Sequence, residues 1–381
     1  MDERECVPMK AREQSRTALV LSYREGFSVN DATSISLTIA EQLADDHTDI
    51  CILGGPNAIA AGAPLVEGVI HPLRLPWWPI GPHNRRYERA IRHKVAELGL
   101  DRLELHNRGV LFHRLSDLPI GLALYLHNDP HLVGGLKTQS DRLKVLKRAD
   151  YVVCVSDYIR QRFCEGLPEA LCDKVHIGYN TLNLNDFTPH EEKRNEIVFV
   201  GRFIPEKGIV PLLQALKATL PKYPDWRARI IGARYFGQKG LHYPYEKELL
   251  EELGSTHPQI DMPGYRPFAD VVELFKQARI AVVPSTWEEP FGRTALEGMA
   301  AGCAVIASRR GGLPEVLGEA GLLVEPTAES LSAALDALMR DQQYCDSVGQ
   351  QCLERARTVF DPGPIHEKIN ALRRAPRPSA G

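Results

Sequence analysis

The sequence predicts an α/β protein of two Rossmann-like, doubly wound domains facing a central cleft. Three observations carry this reading. A strand–helix–strand alternation fits within about 37 residues of the first half. The alternation restarts after a polar linker, and most strand-like runs end at glycine, proline or a polar loop. The first strand is the apolar run 17–23, which opens into the polar stretch 24–33. A helix with apolar residues at Ile35, Ile39 and Leu43 follows, then the strand 49–53, which stops at Gly54-Gly55-Pro56. Strands joined by such a crossover lie parallel. Further short apolar runs occupy 103–105, 122–126 and 151–155. The polar, charged segment 183–195 reads as the linker. Beyond it, strand 196–200 ends in Gly201, and Val210, Leu213, Leu216 and Leu220 form a helical stripe. Runs 229–231, 279–283 and 304–307 end at Gly232, at Pro284 and before Gly311-Gly312. Ligands of such sheets bind at the carboxyl ends of the strands.

Composition narrows the function class. The chain has 381 residues, 44% of them apolar and 25% charged, with a formal net charge of −3. Those proportions describe a globular protein, and the length favours two domains over one. A near-neutral charge gives no electrostatic footprint for nucleic acid. No apolar run approaches the ~20 residues of a membrane span. The charged opening lacks the apolar region of a secretory signal, so the expected location is cytoplasmic. Eight cysteines without a C-x-x-C pair read as reduced thiols, and Cys345 and Cys352 sit at helical spacing. No cluster with metal-ligand spacing is visible, so neither metal nor other cofactor is expected.

The most informative segment runs from Pro284 through Glu288, Glu289, Phe291, Gly292, Arg293, Thr294 and Glu297 to Gly302. A strand ends at Pro284, a polar loop carries Glu289, and Glu297 falls about one turn inside the following helix. Backbone N–H groups near residues 292–294 would make an anion-binding helix end. A carboxylate beside an anion site is costly unless it binds hydroxyls, which points to a ligand with phosphates and sugar hydroxyls. The same pattern also fits a helix start merely decorated with acids. In a second segment, Gly201-Arg202-x4-Lys207-Gly208, two cations sit over another helix start. They could neutralise a departing diphosphate, or be solvated residues of an ordinary turn.

Together, Gly-Arg-x4-Lys-Gly and, about eighty residues later, Glu-x7-Glu within Pro-Ser-x3-Glu-Pro-Phe-Gly resemble the retaining glycosyltransferases of family 4. The resemblance is close over 196–326, including Gly264-Tyr265 and Gly311-Gly312-Leu-Pro-Glu315, and thins in the first half. It implies the GT-B fold, with an acceptor-side domain over 1–188, a nucleotide-sugar donor domain over 189–360, and a terminal helix and tail over 361–381 packing back toward the first domain. It implies that Arg202 and Lys207 hold the donor diphosphate. Glu289 would bond hydroxyls of the transferred sugar, and Glu297 those of the ribose. Phe291, Gly292, Arg293 and Thr294 would supply backbone amides, and Gly264 and Tyr265 would approach the nucleotide. The family usually needs no divalent metal.

The family's Gly-rich turn after the first strand is absent here, since residues 24–33 hold only Gly26. A firmer match is the buried strand 122–126 ending in His127, where family members place an active-site histidine. A satisfied histidine at a strand end is the plain alternative. His106-Asn107 is a weaker candidate, Asn180 reads as turn-forming, and Arg234 and Arg266 lie on loops expected near the base. Arg85, Arg86, Arg89 and Arg92, with Trp77, Trp78 and Tyr87, fit a polar helix, contact with the inner face of a membrane, or phosphate binding alone. The resemblance thus implies a retaining transfer of sugar from a nucleotide donor to a glycan or lipid-linked hydroxyl acceptor. Family company suggests bacterial polysaccharide or lipopolysaccharide assembly. The competing readings are a GT-B sugar-nucleotide epimerase and a silent nucleotide-sugar binding protein.

Overall fold

The structure is a computed structural model that describes residues 16–28, 33–44, 49–59, 62–75, 83–235, 240, 242–254 and 257–376. Among these, the strands form two parallel sheets. The first contains β1 (Thr17–Val20), β2 (Ile50–Gly54), β3 (Ile70–Pro72), β4 (Arg102–His106), β5 (Gly121–Leu126), β6 (Tyr151–Cys154) and β7 (Val175–Ile177). They lie in the order β3-β2-β1-β4-β5-β6-β7. The second contains β8 (Arg194–Val200), β9 (Arg227–Ile231), β10 (Ile260–Gly264), β11 (Ala278–Val283), β12 (Ala304–Ser308) and β13 (Leu322–Val324), in the order β10-β9-β8-β11-β12-β13. Each sheet reverses its winding once, between β1 and β4 and between β8 and β11. In open α/β sheets the ligand crevice lies at that reversal, outside the carboxyl ends of the strands.

The apolar runs follow from this layering, because helices cover both faces of a doubly wound sheet and its strands carry little alternation. Residues Leu122 to Leu126 and Ala304 to Ala307 are fully buried. Local signals set the helix starts. The Thr33 side chain accepts the Ile35 and Ser36 N–H groups at the head of Ser34–Gln42, and Ser156 caps Asp157–Cys164 through the Ile159 N–H. In the helix Gln342–Val359, Cys345 and Cys352 face the core with Val348 and Ala356. Their spacing is therefore packing, and the described cysteines are all free.

The expected linker 183–195 is more ordered than its polarity suggests. It contains the 3₁₀ turn Leu184–Phe187, whose buried Phe187 meets Phe268 edge-on at 6.3 Å between ring centroids. β8 then begins at Arg194, inside the polar stretch. The last helix, Pro362–Arg374, reaches the first sheet. His366 Nε2 hydrogen-bonds with the Thr181 hydroxyl at 2.8 Å, and Arg373 meets Glu104 of β4 at 2.7 Å.

In the basic stretch, Trp77 and Trp78 lie outside the described residues. The helix His83–Leu98 buries Tyr87, Ile91 and Val95. Its Arg92 pairs with Glu88 and Asp117, while Arg85 and Arg89 are exposed. Among the described residues, no helix is long and apolar enough to cross a membrane.

Candidate active site

The two motif segments meet at the winding reversal of the second sheet. The turn after β8 carries Arg202 and Lys207, and the loop after β11 carries Glu289. Their backbones abut: the Thr286 N–H donates to the Glu206 carbonyl at 2.9 Å. Gly208 allows this approach, with φ +67° and a position where a Cβ would lie 1.9 Å from the Pro284 oxygen. Gly208→Ala is therefore expected to lose at least the ~1–3 kcal/mol of a strained left-handed residue and to displace Lys207. Urea denaturation with the wild-type midpoint would show that the two loops do not depend on this contact.

Lys207 Nζ lies 2.5 Å from Glu289 Oε1, and the Ser285 hydroxyl donates to the same oxygen at 2.6 Å. Neither bond falls on Oε2. Burial pushes the Glu289 carboxyl up, but the Lys207 charge and hydrogen bonds from Lys207 and Ser285 outweigh it and hold the carboxyl below its usual range. Glu289 is thus an ionised, buried carboxylate. Lys207 also stands 5.7 Å from the Trp287 ring centroid. Arg202 is exposed and has no polar side-chain partner among the described residues. Gly311 and Gly312 buttress the loop from behind. The Gly312 N–H donates to the Glu289 carbonyl at 2.7 Å, and a Cβ on Gly311 would lie 2.1 Å from that oxygen.

Gly292, at φ +102°, turns the loop into the helix Arg293–Ala300, and no side chain caps that helix. Its first-turn N–H groups, which an α-helix leaves without intrahelical partners, are not consumed by a cap. Phe291 is buried, and Thr294 is half-buried at the helix start. The Arg293 guanidinium has an unanticipated role. It pairs with Glu41 of the helix Ser34–Gln42 at 2.6 and 3.2 Å, and with Glu297 Oε1 at 3.1 Å. Glu297 is buried, and this desolvation pushes its carboxyl up to about 7 against the lowering by Arg293. Glu297 Oε2 takes no bond from Arg293. Both motif glutamates are therefore anchored through Oε1.

Across from these loops, His127 follows β5 at the carboxyl edge of the first sheet. Its Nε2 is 2.9 Å from His106 Nδ1, and its main-chain N–H donates to Asn107 Oδ1 at 2.9 Å. Asn180 accepts the Thr38 hydroxyl at 3.2 Å. Gly264 ends β10 at φ +81° and accepts the Gly232 N–H at 3.1 Å. Tyr265 is half-buried beside it and Arg266 is exposed. The Arg234 guanidinium lies 5.6 and 5.5 Å from the Tyr235 and Tyr243 ring centroids.

The sheet edges touch on one flank. Ser156 Oγ donates to the Pro290 carbonyl at 2.5 Å, and Glu315 accepts the Asp157 N–H at 2.7 Å and the Tyr179 hydroxyl at 2.8 Å. Glu315 thus places a carboxylate at the start of a helix of the other domain. Sequence reasoning quoted Glu315 but gave it no task, and it missed Glu41, Glu104 and Arg373. Glu41 and Arg373 act on residues distant in the chain, and the cation that pairs with Glu104 comes from the last helix, so no local spacing marks these pairs.

Comparison with known proteins agrees with this geometry. The model of the family "Glycosyl transferases group 1" matches residues 180–355. Spore coat protein SA of Bacillus subtilis is 30% identical over 310 residues, covering 74% of this chain and 81% of that protein. Lipopolysaccharide 1,2-N-acetylglucosaminetransferase of Salmonella typhimurium is 28% identical over 218 residues, 55% of this chain and 56% of its own length. Among solved structures, sucrose-phosphate synthase from Thermosynechococcus elongatus superposes with a TM-score of 0.73 at 20% identity, over 95% of this chain and 98% of that one. Anabaena HepE, solved in complex with UDP and glucose, gives 0.73 at 18% identity, over 93% and 98%. With both sheets wound alike and the motif loops meeting at the reversal of the second, the chain belongs to the group 1 glycosyltransferases and has the GT-B fold.

Proposed function

We propose that the protein is a retaining glycosyltransferase that takes a sugar from a nucleotide-sugar donor and passes it to a hydroxyl of a glycan or lipid-linked acceptor. One observation carries the reading: Lys207 and Glu289 pair at the winding reversal of the second sheet, on the turn that also carries Arg202 and beside an uncapped helix start. Arg202 and Lys207 would hold the donor diphosphate, with the amides of residues 291–294 beside it. The free oxygen of Glu289 would accept hydroxyls of the transferred sugar, and that of Glu297 those of the ribose. Gly264 and Tyr265 would border the nucleotide. HepE is described with UDP and glucose, which supports a nucleotide-sugar donor without naming this chain's sugar or base.

In this reading the bond from the anomeric carbon to the diphosphate oxygen breaks first. The electron pair leaves on the diphosphate, whose growing charge meets Arg202 and Lys207, the latter already held by Glu289. The acceptor hydroxyl then attacks from the face the diphosphate is leaving, and its proton passes to an oxygen of that departing diphosphate. No carboxylate acts as a covalent nucleophile, unlike retaining glycosidases with two carboxyls ~5–5.5 Å apart. His127 would line the transfer site from the first domain. A cytoplasmic place in cell-surface polysaccharide or lipopolysaccharide assembly is supported by the similarity to the Salmonella transferase.

The test is a donor screen by thermal shift, followed by transfer assays. A nucleoside diphosphate at 100 times its Kd should stabilise the protein by about 2.7 kcal/mol. Free nucleoside diphosphate should then appear only when an acceptor is added. Release without acceptor, or interconversion of the donor alone, would replace this reading with hydrolysis or epimerisation. EDTA is expected to leave the transfer rate unchanged, because two side-chain cations stand where a metal would otherwise offset phosphate charge. Complete loss restored by manganese or magnesium would overturn the metal-free mechanism.

A further inference from the structure

We infer that Glu104, His106 and Arg373 are positioning residues that fix the proton of His127 on Nε2 and present its Nδ1 as a bare hydrogen-bond acceptor. This rests on His127 lining the transfer site, as proposed above. The chain of contacts starts in the last helix. Arg373 donates to Glu104 Oε1 at 2.7 Å and to Oε2 at 3.3 Å, and the Tyr151 hydroxyl donates to Oε2 at 2.8 Å. All of these groups are buried. An ionised carboxylate can only accept, so His106 Nε2, 3.1 Å from Glu104 Oε1, must carry a proton.

His106 is buried, and desolvation lowers its pKa against the hydrogen bond and charge of Glu104; a neutral His106 holds that one proton and no second. Its Nδ1 is then an acceptor, and His127 Nε2, 2.9 Å away, must donate to it. His127 is itself kept neutral, pushed well below its ordinary value by burial and then by His106, with Glu104 opposing. A neutral imidazole protonated on Nε2 leaves Nδ1 with a lone pair. Among the described residues, no hydrogen bond reaches that atom. The opposite tautomer would set two N–H groups against each other, or leave the carboxylate facing a lone pair.

The rings are held as firmly as the protons. Tyr125 stacks on both imidazoles, at 5.0 Å from His106 and 4.7 Å from His127 between centroids. The Tyr125 hydroxyl is fixed by Gln42, whose Oε1 is held by Arg373 at 2.9 Å. Asn107 reaches the main chain of His127 from a left-handed conformation, φ 55°, that asparagine tolerates better than most residues. One arginine from the final helix thus anchors both the carboxylate and the tyrosine that set the histidine. A hydroxyl brought to Nδ1 meets an acceptor that needs no proton rearrangement.

The test reads the tautomer directly. Nitrogen-15 NMR of histidine-labelled wild-type protein, with His127 assigned by loss of its signals in His127→Gln, should show Nε2 protonated and Nδ1 unprotonated from pH 6.5 to 8. A proton on Nδ1, or an imidazolium at pH 7, would overturn the inference without any positioning variant having to fold. In His106→Leu the Nε2 acceptor is gone. The expected results are mixed tautomers, an acid limb of kcat moved toward pH 6.5, and a loss in kcat of about 10- to 100-fold, as for other groups that orient a working histidine, at unchanged donor KM. His106→Asn, whose amide oxygen falls near the lost Nδ1, should recover much of the rate. Unchanged tautomer and pH profile in folded His106→Leu would refute the positioning role. Full turnover in His127→Gln, with Nε2 protonated in the wild type, would uphold the proton arrangement and remove His127 from the transfer site.

Discussion

Lys207→Ala is expected to reduce turnover by 10²- to 10³-fold, because the lysine serves two partners at once. One is the diphosphate of the proposed donor, where a fixed group facing developing charge is worth about 2.7–4 kcal/mol. The other is Glu289, whose buried carboxylate has Lys207 as its neighbouring cation at 2.5 Å. Removing one member of a buried ion pair costs ~3–5 kcal/mol, and the lower end applies here because the lysine side chain remains 21% exposed. Arg202→Ala should show only the first effect, since Arg202 has no polar side-chain partner among the described residues. The two variants should therefore lose similar activity and unequal stability. The pH dependence separates the causes. Glu289 sits below its ordinary range in the wild type, so it contributes stability present above the unfolded carboxylate value and lost as pH falls through its folded one. In Lys207→Ala that contribution is gone, and the deficit against wild type should be largest at neutral pH and shrink in acid. Urea titrations at pH 7 and pH 4, beside steady-state kinetics, measure both. Wild-type kinetics in both variants would remove the diphosphate role, and equal stability in both would remove the pairing.

Much of this site was legible because its residues recur at short spacing beside strand ends. Gly201, Arg202, Lys207 and Gly208 fall within eight positions after β8, and Glu289 to Glu297 span nine positions in the loop and helix that follow β11. Strand, turn and helix periodicities are local, and they identify which loops sit at a carboxyl edge. The sheet order and the meeting of the two loops follow from winding rules that any such chain obeys. The partners were not legible. Glu41 lies 252 residues from Arg293, and Arg373 lies 269 from Glu104. Glu104 stands between Leu103 and Leu105 in β4 and is fully buried. Its burial depends on a cation delivered by the last helix, which no periodicity in β4 encodes. The same holds for Arg293, which follows Gly292 like a backbone donor while its side chain joins the two domains.

That arginine carries the largest expected effect on stability. Arg293 is buried, and its guanidinium serves Glu41 in the first domain and Glu297 in the second. Arg293→Met fills much of the same volume but leaves two carboxyls facing each other without a cation. A loss of about 3–5 kcal/mol is expected at pH 8, the cost of stranding buried charge. The sign of the pH dependence is opposite to that at Glu289. Burial already raises Glu41, and it raises Glu297 to about 7 even with the arginine present. For Glu297 the folded protein holds more protons than the unfolded chain between the ordinary carboxylate value of 4.5 and about 7, and Glu41 shifts in the same direction. Their contribution is therefore greatest below the unfolded value and declines as pH rises through the folded one. Without Arg293 both carboxyls move further up, so the deficit of the variant should be deepest at pH 8 and smallest near pH 5, where Glu297 is neutral. Adding Glu41→Gln and Glu297→Gln to Arg293→Met should restore much of the stability at pH 8, since no buried charge then remains. The triple variant should stay unable to bind nucleoside diphosphate tightly, because Glu297 is the proposed ribose contact. Urea denaturation at pH 5 and pH 8 decides the stability question, and calorimetry with nucleoside diphosphate decides the binding one. A deficit that is flat with pH, or that survives both glutamine substitutions, would mean that Arg293 stabilises the domain junction by packing and not by charge.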